Sequence, residues 1–348
     1  MSTLSFALVI VVVILLTCLT VNAVNQQKEY ATTATLGLGA VAVGALAISN
    51  MNSLASGGAP NIKEAQRRIN NWKMKLMYNK IMPHAPPMVL GKLDLSGLEL
   101  EELPDNLPKR LTILNCSNNK LESLPDNLPK RLTILNCSKN QLQSLPDNLP
   151  NRLTELQCSR NNLESLPDLP ENLTELHCSY NKLKELPDLP GSLTELICSN
   201  NELKELPDLP GSLTELFCNN NKLKELPDLP GNLKTLNCRN NQLEKLPDLP
   251  GSLTYLNCFN NQLEKLSDLP GSLKTLNCRN NKIICLPDLP NNLEYLIVSG
   301  NNLQYPPSDI LEPGVYRKPQ INKLRNWMEE NPRPTECNQS TVKSAMKK

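Results

Sequence analysis

The chain is short of the groups on which catalysis and core packing usually draw. Only two histidines, His84 and His177, occur in 348 residues, and aromatic residues make up 3% of them. No nucleophile–base pair and no glycine-rich phosphate-binding loop can be assembled, so no enzyme activity is expected and no catalytic or cofactor-binding residue stands out. The twelve cysteines contain no Cys-x-x-Cys spacing, and no metal site is expected. Aromatic side chains are too few to fill a core, which must therefore be aliphatic.

What is abundant is leucine and proline, in register. The sequence Leu-Pro-Asp begins at Leu103, Leu124, Leu145, Leu166, Leu186, Leu206, Leu226, Leu246 and Leu286, with a Leu266-Ser267-Asp268 variant, so the period is 21 and then 20. The longer units differ by one residue, Asn106, Asn127 or Asn148, which separates Asp from the next Leu. An insertion that leaves every other landmark in phase lies in a loop. Each unit also carries Leu-x-x-Leu-x-Cys-x-x-Asn-x-Leu, as in Leu193, Leu196, Cys198, Asn201 and Leu203. Period-two alternation at Leu196 and Cys198 predicts a short strand with both side chains inward. Paired prolines in all but the Leu266-Ser267-Asp268 variant of these units exclude a helix there and demand an extended opposite wall.

Asparagine holds the bend at Asn119, Asn140, Asn161, Asn181, Asn201, Asn221, Asn241, Asn261, Asn281 and Asn301. A side-chain amide has two donors and an acceptor, enough to satisfy backbone groups of its own coil and a neighbouring one. Nine cysteines, Cys116, Cys137, Cys158, Cys178, Cys198, Cys218, Cys238, Cys258 and Cys278, occupy one inward position that Val298 fills in the last unit. They are expected to be free, buried thiols acting as small apolar residues. Such a column sits most comfortably in a reducing compartment.

These residues resemble the leucine-rich repeat family, in its short bacterial type with Leu-Pro-x-Leu-Pro segments. The resemblance spans 90–305 in about 11 repeats, the first weak, with Leu98 in place of Asn. It implies a repeat solenoid, a horseshoe with a concave parallel β-sheet and an extended, proline-rich convex side, and a partner-binding concave face. Some effectors of this type carry a C-terminal ubiquitin-ligase domain with a catalytic Cys-x-Asp. Cys337 is followed by Asn338 and Gln339 and only 43 residues follow Tyr305, so that domain is expected to be absent.

The flanks divide into further segments. Residues 1–24 hold the apolar run 6–21, read either as a signal peptide ending at Val21-Asn22-Ala23 or as a first membrane segment. Residues 25–60 form a linker around a second hydrophobic segment, 34–48. Residues 61–89 are basic and amphipathic, with an Asn61/Glu64 capping box and an apolar stripe of Ile62, Ala65, Ile69, Trp72 and Leu76. Helical caps are thus expected at both ends: 61–89 at the start, and 306–331 at the finish with Ile321, Leu324, Trp327 and Met328 inward. The basic tail 332–348 is expected to be disordered.

Residues 91–305 carry 21 Lys and Arg against 28 Asp and Glu, a net of −7, so nucleic acid is not an expected partner. The basic stretch after the second apolar run favours a membrane-associated chain with its solenoid facing the cytosol, by the positive-inside rule. The alternative is a secreted or surface recognition or adhesion protein whose signal is cleaved.

Outward strand positions remain free to vary. Glu155, Glu175, Glu195 and Glu215 stack in successive units, beside His177, Ile197 and Phe217. Arg239, Tyr255, Phe259, Arg279 and Tyr295 follow. This set is the expected partner-binding face. Its charge points to a basic protein partner with an apolar protrusion, because Arg and aromatic residues anchor interfaces and carboxylates attract cations.

Overall fold

A computed structural model describes residues 91–337, apart from 104–106, 308–309, 312–313 and 335–336. It shows the repeat solenoid that the period demands. Eleven three-residue strands run parallel and in sequence order: β1 Lys92–Asp94, β2 Ile113–Asn115, β3 Ile134–Asn136, β4 Glu155–Gln157, β5 Glu175–His177, β6 Glu195–Ile197, β7 Glu215–Phe217, β8 Thr235–Asn237, β9 Tyr255–Asn257, β10 Thr275–Asn277 and β11 Tyr295–Ile297. Each pairs with the next with equivalent residues opposite one another, for example Leu196 opposite Leu216. A twelfth strand, β12 (Tyr316–Arg317), pairs antiparallel with β11 and covers the last edge.

Every strand buries its middle leucine and leaves the flanking positions on the concave face. Behind the sheet lie Leu193, Leu196, Cys198 and Leu203 and their equivalents, buried in every interior coil, with Leu303 in the last coil half-buried. No coil closes a core alone. Each leucine layer is completed by the coils on either side, which is why so short a repeat is stable only in an array. On the convex side the Leu-Pro segments are extended and end in tight turns, such as the Leu193 N–H to Pro190 C=O bond of 3.0 Å. No helix occurs in the described part of any repeat, as paired prolines require.

The bend asparagines form the expected ladder. Asn201 Nδ2 donates to the carbonyls of Cys178 (3.1 Å) and Cys198 (3.0 Å), while its Oδ1 accepts the Leu183 N–H at 3.1 Å. One side chain therefore joins its own coil to the preceding one, and the pattern recurs from Asn119 to Asn301. In the weak first coil, Leu98 has no amide, and Asn119 Oδ1 takes both the Leu98 and the Leu100 N–H at 3.0 Å.

A second polar run was not foreseen. The residue before each ladder asparagine is left-handed, with φ between 52° and 59° from Asn118 to Asn280, a conformation that asparagine tolerates better than most side chains. Asn220 donates to Asn200 (3.0 Å), Asn240 to Asn220 (2.5 Å) and Asn260 to Asn240 (3.1 Å). At the end of this column stands Gly300 (φ 73°), where a Cβ would lie 2.2 Å from Asn280 Oδ1 and would push that side chain aside.

The C-terminal cap is a 13-residue helix, α1 (Lys318–Glu330), inside the expected 306–331. Ile321, Leu324 and Met328 are buried, and Trp327 packs its ring 5.8 Å from that of Tyr305. Arg325 donates to the carbonyls of Leu289 (3.0 Å) and Pro290 (2.7 Å), joining α1 to the last convex turn. The expected N-terminal cap, 61–89, lies outside the described residues, as do the apolar runs 6–21 and 34–48. Among the described residues no helix is long and apolar enough to cross a membrane.

Two expectations need correction. The tail beyond 331 is not disordered from its start: Arg333 pairs with Asp288 at 2.7 Å, and Cys337 forms a disulfide with Cys285. The nine column thiols are free and buried as expected, yet this bond means that the cysteines as a set do not argue for a reducing environment. Residues 338–348 lie outside the described residues.

Candidate functional site

The concave sheet is the surface on which the units differ most. Strands one residue deep in hydrophobic contact fix the backbone and leave two or three outward side chains per coil. Parallel pairing in register then places equivalent positions about 4.8 Å apart, so a column in the sequence becomes a column in space.

On β4 to β7 that column is Glu155, Glu175, Glu195 and Glu215, each opposite the next. Beside it run Gln157, His177, Ile197 and Phe217, so the two apolar side chains are direct cross-strand neighbours. All eight are half-buried. The lysine and arginine ion pairs of the described residues, such as Lys184–Glu164, Lys222–Glu202 and Lys245–Glu225, lie elsewhere and involve none of the four stacked glutamates. Within the stripe, Gln157 Nε2 donates to Glu155, and His177 Nε2 meets Glu195 Oε1 at 3.0 Å. Burial, then the neighbouring Glu155 and Glu195 charges, raise the Glu175 carboxyl above its ordinary range, partly offset by His177.

The remaining expected residues form a separate patch on β8 to β11. Phe259 stands under the Arg279 guanidinium, 6.0 Å from its carbon to the ring centre, and Tyr295 under Arg317 at 5.5 Å. Asn257 Nδ2 reaches the Tyr255 hydroxyl at 3.4 Å, and Arg239 is exposed. Arg317 was not anticipated. It reaches the patch only because β12 turns back antiparallel onto β11, a reversal with no counterpart in the repeats. The face is therefore acidic over β4 to β7, and basic and aromatic over β8 to β11.

Nothing in this arrangement pairs a nucleophile with a base. The buried thiols are poor nucleophiles: burial pushes Cys116, Cys158, Cys198, Cys238 and Cys278 up to about 12, and Cys137, Cys178, Cys218 and Cys258 well up, with adjacent thiols adding to the rise.

Comparison with known proteins matches the repeat. The family described as "Leucine Rich repeats (2 copies)" matches residues 231–271, and "Leucine Rich Repeat" matches residues 110–130. Among solved structures, the chain is similar to YopM, a leucine-rich effector protein from Yersinia pestis, at 33% identity over 68% of this chain and 89% of that one, with a TM-score of 0.44. It is 38% identical to YopM from Yersinia enterocolitica over 58% of this chain and 54% of that one, with a TM-score of 0.48. The chain thus spans about half the length of that protein. The functional domain of InlJ from Listeria monocytogenes, described as including a cysteine ladder, is 27% identical over 61% of this chain and 54% of that one, with a TM-score of 0.50. Comparison with curated proteins finds no match.

Proposed function

Because the chain belongs to the leucine-rich repeat family, we propose that it is a non-enzymatic interaction scaffold whose concave sheet docks a partner protein. The observation that carries this reading is the stripe of four carboxylates without lysine or arginine partners, set beside Ile197 and Phe217. Stacked like charges at strand spacing repel one another, and a cationic partner relieves that repulsion. The partner is a basic protein with an apolar protrusion that seats against Phe217. Rim charges set the rate of association and its salt dependence, and the buried aromatic sets how long the complex lasts. The effectors to which the chain is similar make a role on host proteins the fitting context.

The test compares three variants in a quantitative pull-down. Phe217→Ala should weaken capture by about 2 kcal/mol, or some thirtyfold. The double charge reversal of Glu175 and Glu195 to Lys should slow association most at low salt. Lys224→Ala, on the opposite wall, should capture as the parent does. Equal recovery of the same proteins by all three would move the function to the flanks or the convex wall.

The Cys285–Cys337 bond supports an exported chain, secreted or held at a surface by its N-terminal segments, over a solenoid in the cytosol. A mature N-terminus at Val24 would identify a cleaved signal. Retention of the full-length chain in carbonate-washed membranes would identify an anchor instead.

A further inference from the structure

We propose that Glu175, His177 and Glu195 form a binding site for one divalent transition-metal ion of the zinc class on the concave sheet. The three donate one ligand atom each, and these atoms all lie within 4.8 Å of one another. His177 Nε2 and Glu195 Oε1 are already 3.0 Å apart. In a tetrahedral zinc site, bonds of about 2.0–2.2 Å place donors roughly 3.3 Å from each other. Rotation of the glutamate side chains closes the remaining gap, with no movement of the backbone.

The scaffold favours such a site. Glu175 and His177 share strand β5 and point to the same side because they are two residues apart, and Glu195 faces Glu175 from β6. Both strands are pinned by the asparagine ladder behind them, so the ligand positions are organised before an ion arrives. The donor set is what separates this cluster from an ordinary acidic surface. In the column that contains His177, the other members are Asp94 at the far end and otherwise Asn, Gln, Ile or Phe, and the chain's one other histidine is His84. Imidazole with carboxylates suits zinc and its first-row neighbours, whereas calcium and magnesium prefer an all-oxygen set.

Independently of those ligands, the charge balance also calls for a cation. Glu155 and Glu215 flank the triad on β4 and β7, and no lysine or arginine pairs with any of the four glutamates among the described residues. Three protein ligands leave a fourth position open toward the concave side. An oxygen or nitrogen of a docked partner can complete the shell there. Metal binding itself does not depend on the docking reading, and the two fail separately, because the ion is measured without any partner.

The experiment titrates the full, folded chain with Zn2+ by calorimetry and with Co2+ by visible absorption, after treatment with a chelator. One equivalent should bind, with a cobalt spectrum of low coordination number. His177→Ala and Glu195→Gln should each weaken binding at least about tenfold, while Glu164→Gln, whose carboxylate pairs with Lys184 outside the stripe, and His84→Ala leave it unchanged. Circular dichroism melts of each variant confirm that the solenoid is intact. Absence of stoichiometric binding in the parent, or binding that survives in His177→Ala, overturns the proposal. So does loss of binding in His84→Ala.

Discussion

Mild alkali should unfold this protein through its core. The nine column thiols are buried and held protonated, five of them up to about 12 and four pushed well up, by desolvation first and adjacent thiols second. In the unfolded chain each ionises near its ordinary value of about 8.5. The folded value lies above the unfolded one, so the native state binds more protons in between. Stability is therefore complete only about a unit or more below pH 8.5, and it falls as pH rises toward 12. At pH 8.5 each thiol lowers the unfolded state by about 0.4 kcal/mol, and at pH 9.5 by about 1.4 kcal/mol. Nine together amount to roughly 4 and then roughly 13 kcal/mol, against a total stability for ordinary domains of about 5–15 kcal/mol. Urea denaturation followed by circular dichroism from pH 7 to 10, in reductant throughout, reads this as a collapsing midpoint. A variant with Cys178, Cys198 and Cys218 all changed to Ala should start less stable but lose stability with a slope about one third shallower. A midpoint that stays flat to pH 10, or an equal slope in parent and variant, would refute the assignment of the column as protonated, water-excluded thiols.

Asn201→Ala should cost about 1–3 kcal/mol, because it strands the buried Leu183 N–H while the Cys178 and Cys198 carbonyls keep their bonds from Asn181 and Asn221, and urea melts at neutral pH would measure it. Cys337→Ser should destabilise the chain under non-reducing conditions by up to about 4 kcal/mol, from the chain entropy of a 52-residue closure, read as a lower melting temperature. The parent should then melt like the variant once reductant is added. Glu175→Gln, in chelator, should be more stable than the parent at pH 7. The raised carboxyl means that the parent gains stability as pH falls through its folded pKa, so the advantage should vanish near pH 4.

The repeats were legible because each landmark has one physical job repeated in phase. Leu193, Leu196 and Leu203 had to face inward by period, and Asn201 had to bond backbone because a buried amide must find partners. Adjacency on the concave sheet followed without further information: register in a parallel stack turns Glu155, Glu175, Glu195 and Glu215 into neighbours. What period cannot reach is contact between non-equivalent residues. Cys285 and Cys337 are 52 residues apart, and spacing alone does not fix which cysteines pair. Arg317 came to lie over Tyr295 through a chain reversal that no repeat contains. The left-handed asparagine column was visible as composition, Asn200, Asn220, Asn240 and Asn260, but its backbone cause was not. The same position holds Lys139, Arg160 and Tyr180 in earlier coils, which hides it.

The asparagine ladder also gives the solenoid a direction. Every amide from Asn119 to Asn301 reaches toward the preceding coil, so each coil has its bend closed by the one that follows. The first coil can lack an asparagine of its own and still be closed, as Leu98 shows. No such relief exists at the other end, where Asn301 has no successor and β12 with α1 must close the stack instead. The two ends are chemically unlike, as in a polar filament with a growing and a starting tip. A whole 20-residue unit copied into or cut out of the interior leaves every such bond with a donor and an acceptor. Deletions that remove the terminal strand and helix leave those bonds whole but uncover the edge of β11. Lengthening by internal duplication, with the closing pieces kept in place, is the route by which such a chain can change its reach while remaining folded.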